Sequence, residues 1–164
     1  MAGKSGINSR IVVRQAQCPD SESVGVFLNG LSQVIRYQRF LAPLRSVSPT
    51  LTREMVTVTS DRRVLLGLDG DSVVAHVMAA RVDEYAAEVG IVVAEAYQSQ
   101  GIGRVLMGEL ADDLRTLGIT EVRCSVLSEN RRTLTWVRRL LLDTRFERGG
   151  AVLTVRGRLP PQPP

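Results

Sequence analysis

Several functions are removed by what this chain does not have. Its two cysteines, Cys18 and Cys124, are too few for a disulfide framework, and Cys124 sits in an apolar segment as a small buried thiol. A single histidine, His76, and no His/Cys/carboxylate cluster at ligand spacing leave no metal centre to expect. No apolar run approaches the roughly 20 residues that span a bilayer, and Met1 to Arg10 lack the apolar block of a secretion signal. A cytoplasmic location is the resulting expectation. Aromatic residues make up only 4% and do not interleave with the basic residues, so the stacking platform of a nucleic-acid binder is missing. There is one lysine, Lys4, and every other basic residue is arginine.

What remains is ordinary globular composition: 164 residues, 44% hydrophobic and 23% charged, enough for one domain with a proper core. The net charge of +4 is concentrated late, with eight arginines against Asp143 and Glu147 between Arg131 and Arg158. A solvated surface is the plain reading of that stretch, and an anionic partner is the alternative.

Hydrophobic periodicity divides the chain. Ile11-Val12-Val13 predicts a first strand. Asp20 or Ser21 caps a helix carrying Val24, Phe27 and Leu28, and Asn29-Gly30 ends it. A second helix starts at Ser32 and a short third one covers Leu51 to Val56. The period then changes. Val64 to Leu68, an Asp69-Gly70 turn, Val73 to Val82 and Glu88 to Ala94 read as a three-stranded meander. Ile102, Leu106, Leu110 and Leu114 mark a long helix closed by Gly118. A strand at Val122 to Val126, a helix capped by Asn130 and a last strand at Ala151 to Val155 complete the order. The expected layout is a flexible stretch 1–10, one domain over 11–158, and a disordered Pro-rich tail 159–164.

The most informative segment is Gln98-Ser99-Gln100-Gly101-Ile102-Gly103-Arg104, between an apolar strand and an amphipathic helix. A glycine-rich turn at a helix start points backbone N–H groups outward at the positive end of the dipole, which suits a phosphate. A nucleoside triphosphate loop needs Gly-Lys-Ser/Thr, and Gly103 is followed by Arg104-Val105. A dinucleotide fingerprint needs a third glycine, which Arg104-Val105-Leu106 lacks. The segment resembles the Gln/Arg-x-x-Gly-x-Gly/Ala loop of the GNAT superfamily of N-acetyltransferases. The element order over Ile11 to Val155 fits the same family.

That resemblance implies an α/β (α+β) fold: a mixed, mostly antiparallel twisted sheet, helices on both faces, and a splayed pair of strands holding acetyl-CoA as co-substrate. It places Ile91, Val92, Val93, Gln98, Ser99, Gln100, Gly101, Ile102, Gly103 and Arg104 on the cofactor. It adds Asn130, which Leu127-Ser128-Glu129-Asn130 sets after a strand and which can also be a plain N-cap. A Leu-Gly-Phe ending usual after that helix is absent, and Leu141 to Phe146 stand there. No tyrosine follows Asn130 to protonate a leaving thiolate, but a thiolate (pKa ~8.5) leaves unaided.

Acetyl transfer needs a neutral amine, because a protonated lysine (pKa ~10.4) has no lone pair. Glu88 is the candidate base, lying before Val89-Gly90-Ile91-Val92-Val93 in an apolar strand. A carboxylate there is costly unless paired or facing a cleft. The alternative is a cross-strand salt bridge, since a simple hairpin register sets Arg81 opposite Glu88. The Glu88 segment and Arg36-Tyr37-Gln38-Arg39-Phe40 are similar to stretches of the bacterial protein lysine acetyltransferases. That similarity implies Glu88 as general base and protein lysines as acceptors, on proteins such as acyl-CoA synthetases. Members often carry a fused regulatory or synthetase-like domain, so the resemblance leaves open a regulatory domain or effector beyond these residues. Small-molecule amine acetylation and a non-catalytic acyl-CoA-binding module are the rival readings. His76 is expected in the core or lining the cleft, Tyr97 against the loop, and Trp136 in the core.

Overall fold

A computed structural model describes residues 10–162. The expected flexible stretch 1–10 falls almost wholly outside them, as do the last two residues of the tail. The elements run β1 (Ile11–Gln15), a 3-10 turn, α1 (Ser21–Gly30), α2 (Gln33–Phe40), α3 (Pro49–Val56), β2 (Arg62–Asp69), β3 (Ser72–Arg81) and β4 (Ala86–Val93). After a second 3-10 turn come α4 (Ile102–Thr116), β5 (Glu121–Leu127), α5 (Arg131–Leu140), β6 (Leu142–Gly149) and β7 (Val152–Arg158). The strands form one seven-stranded sheet in the order β1-β2-β3-β4-β5-β7-β6. Every neighbouring pair is antiparallel except β4 and β5, which are parallel.

Helices cover both faces, as the resemblance implied. On one, α4 turns Ile102, Leu106, Leu110 and Leu114 onto Leu65, Val77 and Val89 of the sheet. This is one stripe of a 3.6-residue period. On the other, Val24 and Leu28 of α1 and Met55 of α3 cover Val64, Leu66 and Val92. Central strands covered on both sides read as continuous apolar runs, which explains Val64 to Leu68. Truncating a fully buried leucine such as Leu110 to alanine costs about 2–5 kcal/mol.

Serines cap α2 and α3: Ser32 stands where the sequence placed a helix start, while Ser48 starts α3 ahead of the expected Leu51. Ser32 Oγ accepts from the Ile35 N–H and Ser48 Oγ from the Leu51 N–H, each at 3.2 Å. Asp20 precedes α1 but makes no cap bond to it. Its carboxylate instead takes both guanidinium nitrogens of Arg14, at 2.8 and 2.7 Å.

Three expectations need correction. The strand β6 was not foreseen; it is an edge strand with mostly exposed residues, paired only to β7. The β3–β4 register sets Arg81 against Ala87 and Ala80 against Glu88, not Arg81 against Glu88. The Pro-rich tail is held at its start: the Leu159 N–H donates to the Thr120 carbonyl and the Pro160 carbonyl accepts from Arg115.

Candidate active site

The site begins with a break in the sheet. Strands β4 and β5 pair only at Ala86 with Glu121, Ala87 with Val122 and Glu88 with Arg123. Beyond Glu88 they separate, although β4 stays on β3 to Val93 and β5 stays on β7 to Leu127. In an antiparallel ladder, alternate residues turn their peptide groups to opposite sides. The Val82 N–H bonds to the Ala86 carbonyl and the Ala94 N–H to the Val74 carbonyl. The even-numbered residues of β4 therefore face β3, and Val89, Ile91 and Val93 face the gap. Val92, grouped with the cofactor residues on sequence, has its peptide group tied to β3. The Val93 carbonyl accepts from Gln98 Nε2 at 3.1 Å.

At the upper end of the gap, Gly101 precedes α4 with φ +83° and no side-chain cap. The first N–H groups of α4 therefore have no partner within the helix. The loop is braced from outside. Arg132 of α5 donates to Gln98 Oε1 at 3.0 Å and to Ser99 Oγ at 2.7 Å. Gly103 permits a close approach of another kind: a Cβ there would lie 3.2 Å from Trp136 Cζ2. Trp136 is thus half-buried and forms a wall of the cleft rather than sitting in the core.

These elements enclose a cavity of about 940 Å³ that runs from the loop to Ile35, Gln38 and Arg39 of α2. Every charged residue lining it is an arginine: Arg39, Arg104, Arg131, Arg132 and Arg139. Such a lining suits a polyanion. The cofactor residues expected from sequence all line this cavity except Gln100, whose amide turns back to the Ala96 carbonyl at 3.0 Å. Asn130 is the N-cap that the sequence allowed, accepting from the Thr133 N–H of α5 at 3.2 Å, and it also lines the cavity.

Glu88 stands at the rim. It is exposed, and its neighbours Val89 and Gly90 line the cavity while it does not. The salt-bridge alternative is missing. Arg81 pairs with Asp61 at 3.2 Å and donates to the Glu84 and Leu117 carbonyls. Arg123, opposite Glu88, is taken by Asp83 at 2.6 Å and Glu121 at 2.7 Å. On the same face of β4, the Arg39 guanidinium lies over Gly90, where a Cβ would come within 2.7 Å of Cζ. Burial pushes Arg39 down to about 10, against the pull of Glu88.

Two nearby groups are inactive as acids or nucleophiles. Burial, followed by the Glu88 charge, pushes the Cys124 thiol up to about 11, so it stays protonated. His76 is fully buried in the core, with Nε2 2.8 Å from the Met55 carbonyl. Burial, then the Arg39 charge, pushes it down to about 4, so it is neutral. Tyr97 lines the cavity and donates to Asp69 at 2.8 Å. Sequence reasoning missed Arg132, whose only signal was its place two residues after Asn130, and the packing of Arg39 over Gly90.

Comparison with known proteins agrees with this geometry. Residues 36–140 match the Acetyltransferase (GNAT) family. An acetyltransferase of Pseudomonas aeruginosa is 28% identical over 118 residues, 68% of this chain and 63% of that protein, so the chain spans under two thirds of that relative. The GNAT domain of S. lividans PAT superposes with a TM-score of 0.82 at 23% identity, over 90% of this chain and 89% of that one. The spermidine N-acetyltransferase of Vibrio cholerae, solved with CoA and spermine, superposes with a TM-score of 0.68 at 17% identity, over 93% and 97%. Among the described residues no helix is long and apolar enough to cross a membrane, and no group of His, Cys, Asp and Glu could hold a metal ion.

Proposed function

The chain belongs to the GNAT family of acetyltransferases, and from that membership we propose that it moves an acetyl group from acetyl-CoA to the ε-amine of protein lysines. The carrying observation is the gap between β4 and β5, with the Ile91 and Val93 N–H groups facing it beside an uncapped glycine-rich helix start. A pantetheine arm has amides that can replace the missing strand. The N–H groups from Ser99 to Arg104 would hold the pyrophosphate, and Arg132 and Asn130 close the other side.

Transfer is direct. Glu88 takes the proton from the ammonium, directly or through one water, and the freed nitrogen lone pair attacks the thioester carbon. An N–H from the gap-facing side of β4 holds the oxygen as charge develops. The carbon–sulfur bond then breaks and the thiolate departs, taking the second proton of the attacking nitrogen directly or through water, so that a neutral amide and the CoA thiol are left. The protonated Cys124 offers no nucleophile for an acyl-enzyme. The choice of protein lysines rests on the Tyr37, Arg39, Phe40 and Glu88 segments.

Incubation with acetyl-CoA and either a protein lysate or a panel of polyamines and aminoglycosides, read by mass spectrometry, tests the reading. Acetyl-lysine on proteins, acyl-CoA synthetases first among them, supports it. Turnover of small amines without protein labelling moves the assignment to a small-molecule acetyltransferase. CoA binding with no transfer leaves only a binding module.

A further inference from the structure

Arg39 is not explained by the chemistry above. Among the described residues it makes no hydrogen bond and no ion pair, and Nε and Nη2 are closed off from solvent without a partner. Nη1 is likewise unbonded but is not among the enclosed atoms, so it is the nitrogen that reaches open space. The open space Arg39 borders is the cleft. Gly90 makes the position possible, since any side chain there would overlap the guanidinium. The half-buried guanidinium has the Phe40 ring 5.2 Å away as a cation–π partner but no acceptor for its enclosed Nε and Nη2 groups, which is costly, and arginine does not escape by losing its proton. Glu88, the acid whose charge acts on it, lies beyond ion-pair distance. No acid lines the cavity to complete the charge.

We propose that Arg39 anchors a carboxylate of the acceptor, so that the favoured acceptor is an amine with a carboxylate held a short distance away. This rests on the acetyl-transfer reading and narrows its acceptor. Glu88 and Gly90 share a face of β4 and stand about 7 Å apart along the strand. The amine and carboxylate of one α-amino acid are too close to reach both. An ω-amino acid reaches both, and so does a lysine with an aspartate or glutamate neighbour. The same arrangement repels a polycation, because a second ammonium would meet Arg39.

The test uses paired probes that differ only in charge. Peptides with Asp-Lys and Asn-Lys sequences are compared as acceptors by kcat/KM. Free 6-aminohexanoate and 6-aminohexanamide are compared by calorimetry on the CoA-bound protein. At least a tenfold preference for the acid is expected, about 1.4 kcal/mol. Preference in the peptides alone assigns the carboxylate to a protein side chain, and preference for 6-aminohexanoate alone assigns it to a small molecule. Arg39→Met should abolish the preference, and Arg39→Lys should keep part of it. Equal handling of acid and amide by the unaltered protein overturns the proposal, whether or not the variants fold. So does a preference that survives in Arg39→Met. If no acceptor is acetylated, the acetyl-transfer reading fails, while the calorimetric pair still decides whether Arg39 binds a carboxylate.

Discussion

Lowering the pH should weaken this protein through one side chain. His76 is fully enclosed, and its neutral form is favoured until about pH 4, whereas an unfolded histidine takes its proton near 6.5. Below 6.5 the unfolded chain therefore binds a proton that the folded one refuses. Stability present above pH 6.5 is lost progressively as the pH falls toward 4. At 1.36 kcal/mol per pH unit, the loss by pH 4.5 comes to roughly 2–3 kcal/mol. With a urea slope of about 1–3 kcal/mol per molar, the unfolding midpoint should fall by roughly 1 M. Asp20 and Glu95 are held below their ordinary values of 3.8 and 4.5 by their hydrogen-bond partners. What they contribute is lost below those values, so the interval from pH 6.5 to 4.5 isolates His76. In His76→Gln, an amide can still donate to the Met55 carbonyl but takes up no proton. Urea midpoints of both proteins across that interval decide the matter. Curves that fall in parallel would show that His76 is not the group responsible.

Substitutions at three positions probe the cleft. Glu88→Gln keeps the shape but cannot accept a proton, so acetylation should slow by ~10²–10⁴ while calorimetric CoA affinity holds; an unchanged rate rejects the base. Gly101 has φ +83° and open space around it, so Gly101→Ala is penalised by backbone conformation alone, at about 1–2 kcal/mol. Its melting temperature should drop by several degrees and CoA affinity should weaken about tenfold, with Gly101→Asn milder on both counts. Gly103→Val should press on Trp136, 3.2 Å from the first added carbon, and weaken CoA binding about tenfold. Tight binding by folded Gly103→Val would remove this loop from the site.

The order of elements was readable in the sequence as far as α5 because each buried stripe kept its period over many residues. The strand β6 was not readable. Its Leu142, Asp143 and Glu147 are exposed, and only pairing with β7 makes it a strand. The Arg81 register failed by one residue because the β3–β4 turn closes on Val82 and Ala86, a shorter turn than the sequence suggested. In the cleft, local signals survived and distant ones did not. The loop from Gln98 to Arg104 carries its glycines on its face. The approach of Arg39 to Gly90 joins α2 to β4 and leaves no mark that periodicity could detect. Trp136 looked like core for the same reason: its neighbour Gly103 lies on another helix.

The separation of β4 from β5 gives the sheet an edge in its middle. An edge strand offers its unpaired amides to solvent, so hydrogen exchange along β4 should alternate. Amides of Gly90 and Val92, tied to β3, should be slow, and those of Ile91 and Val93, facing the gap, should be fast. The strand is thus protected on every second residue only, and a ligand that completes it should convert a striped exchange pattern into a uniform one.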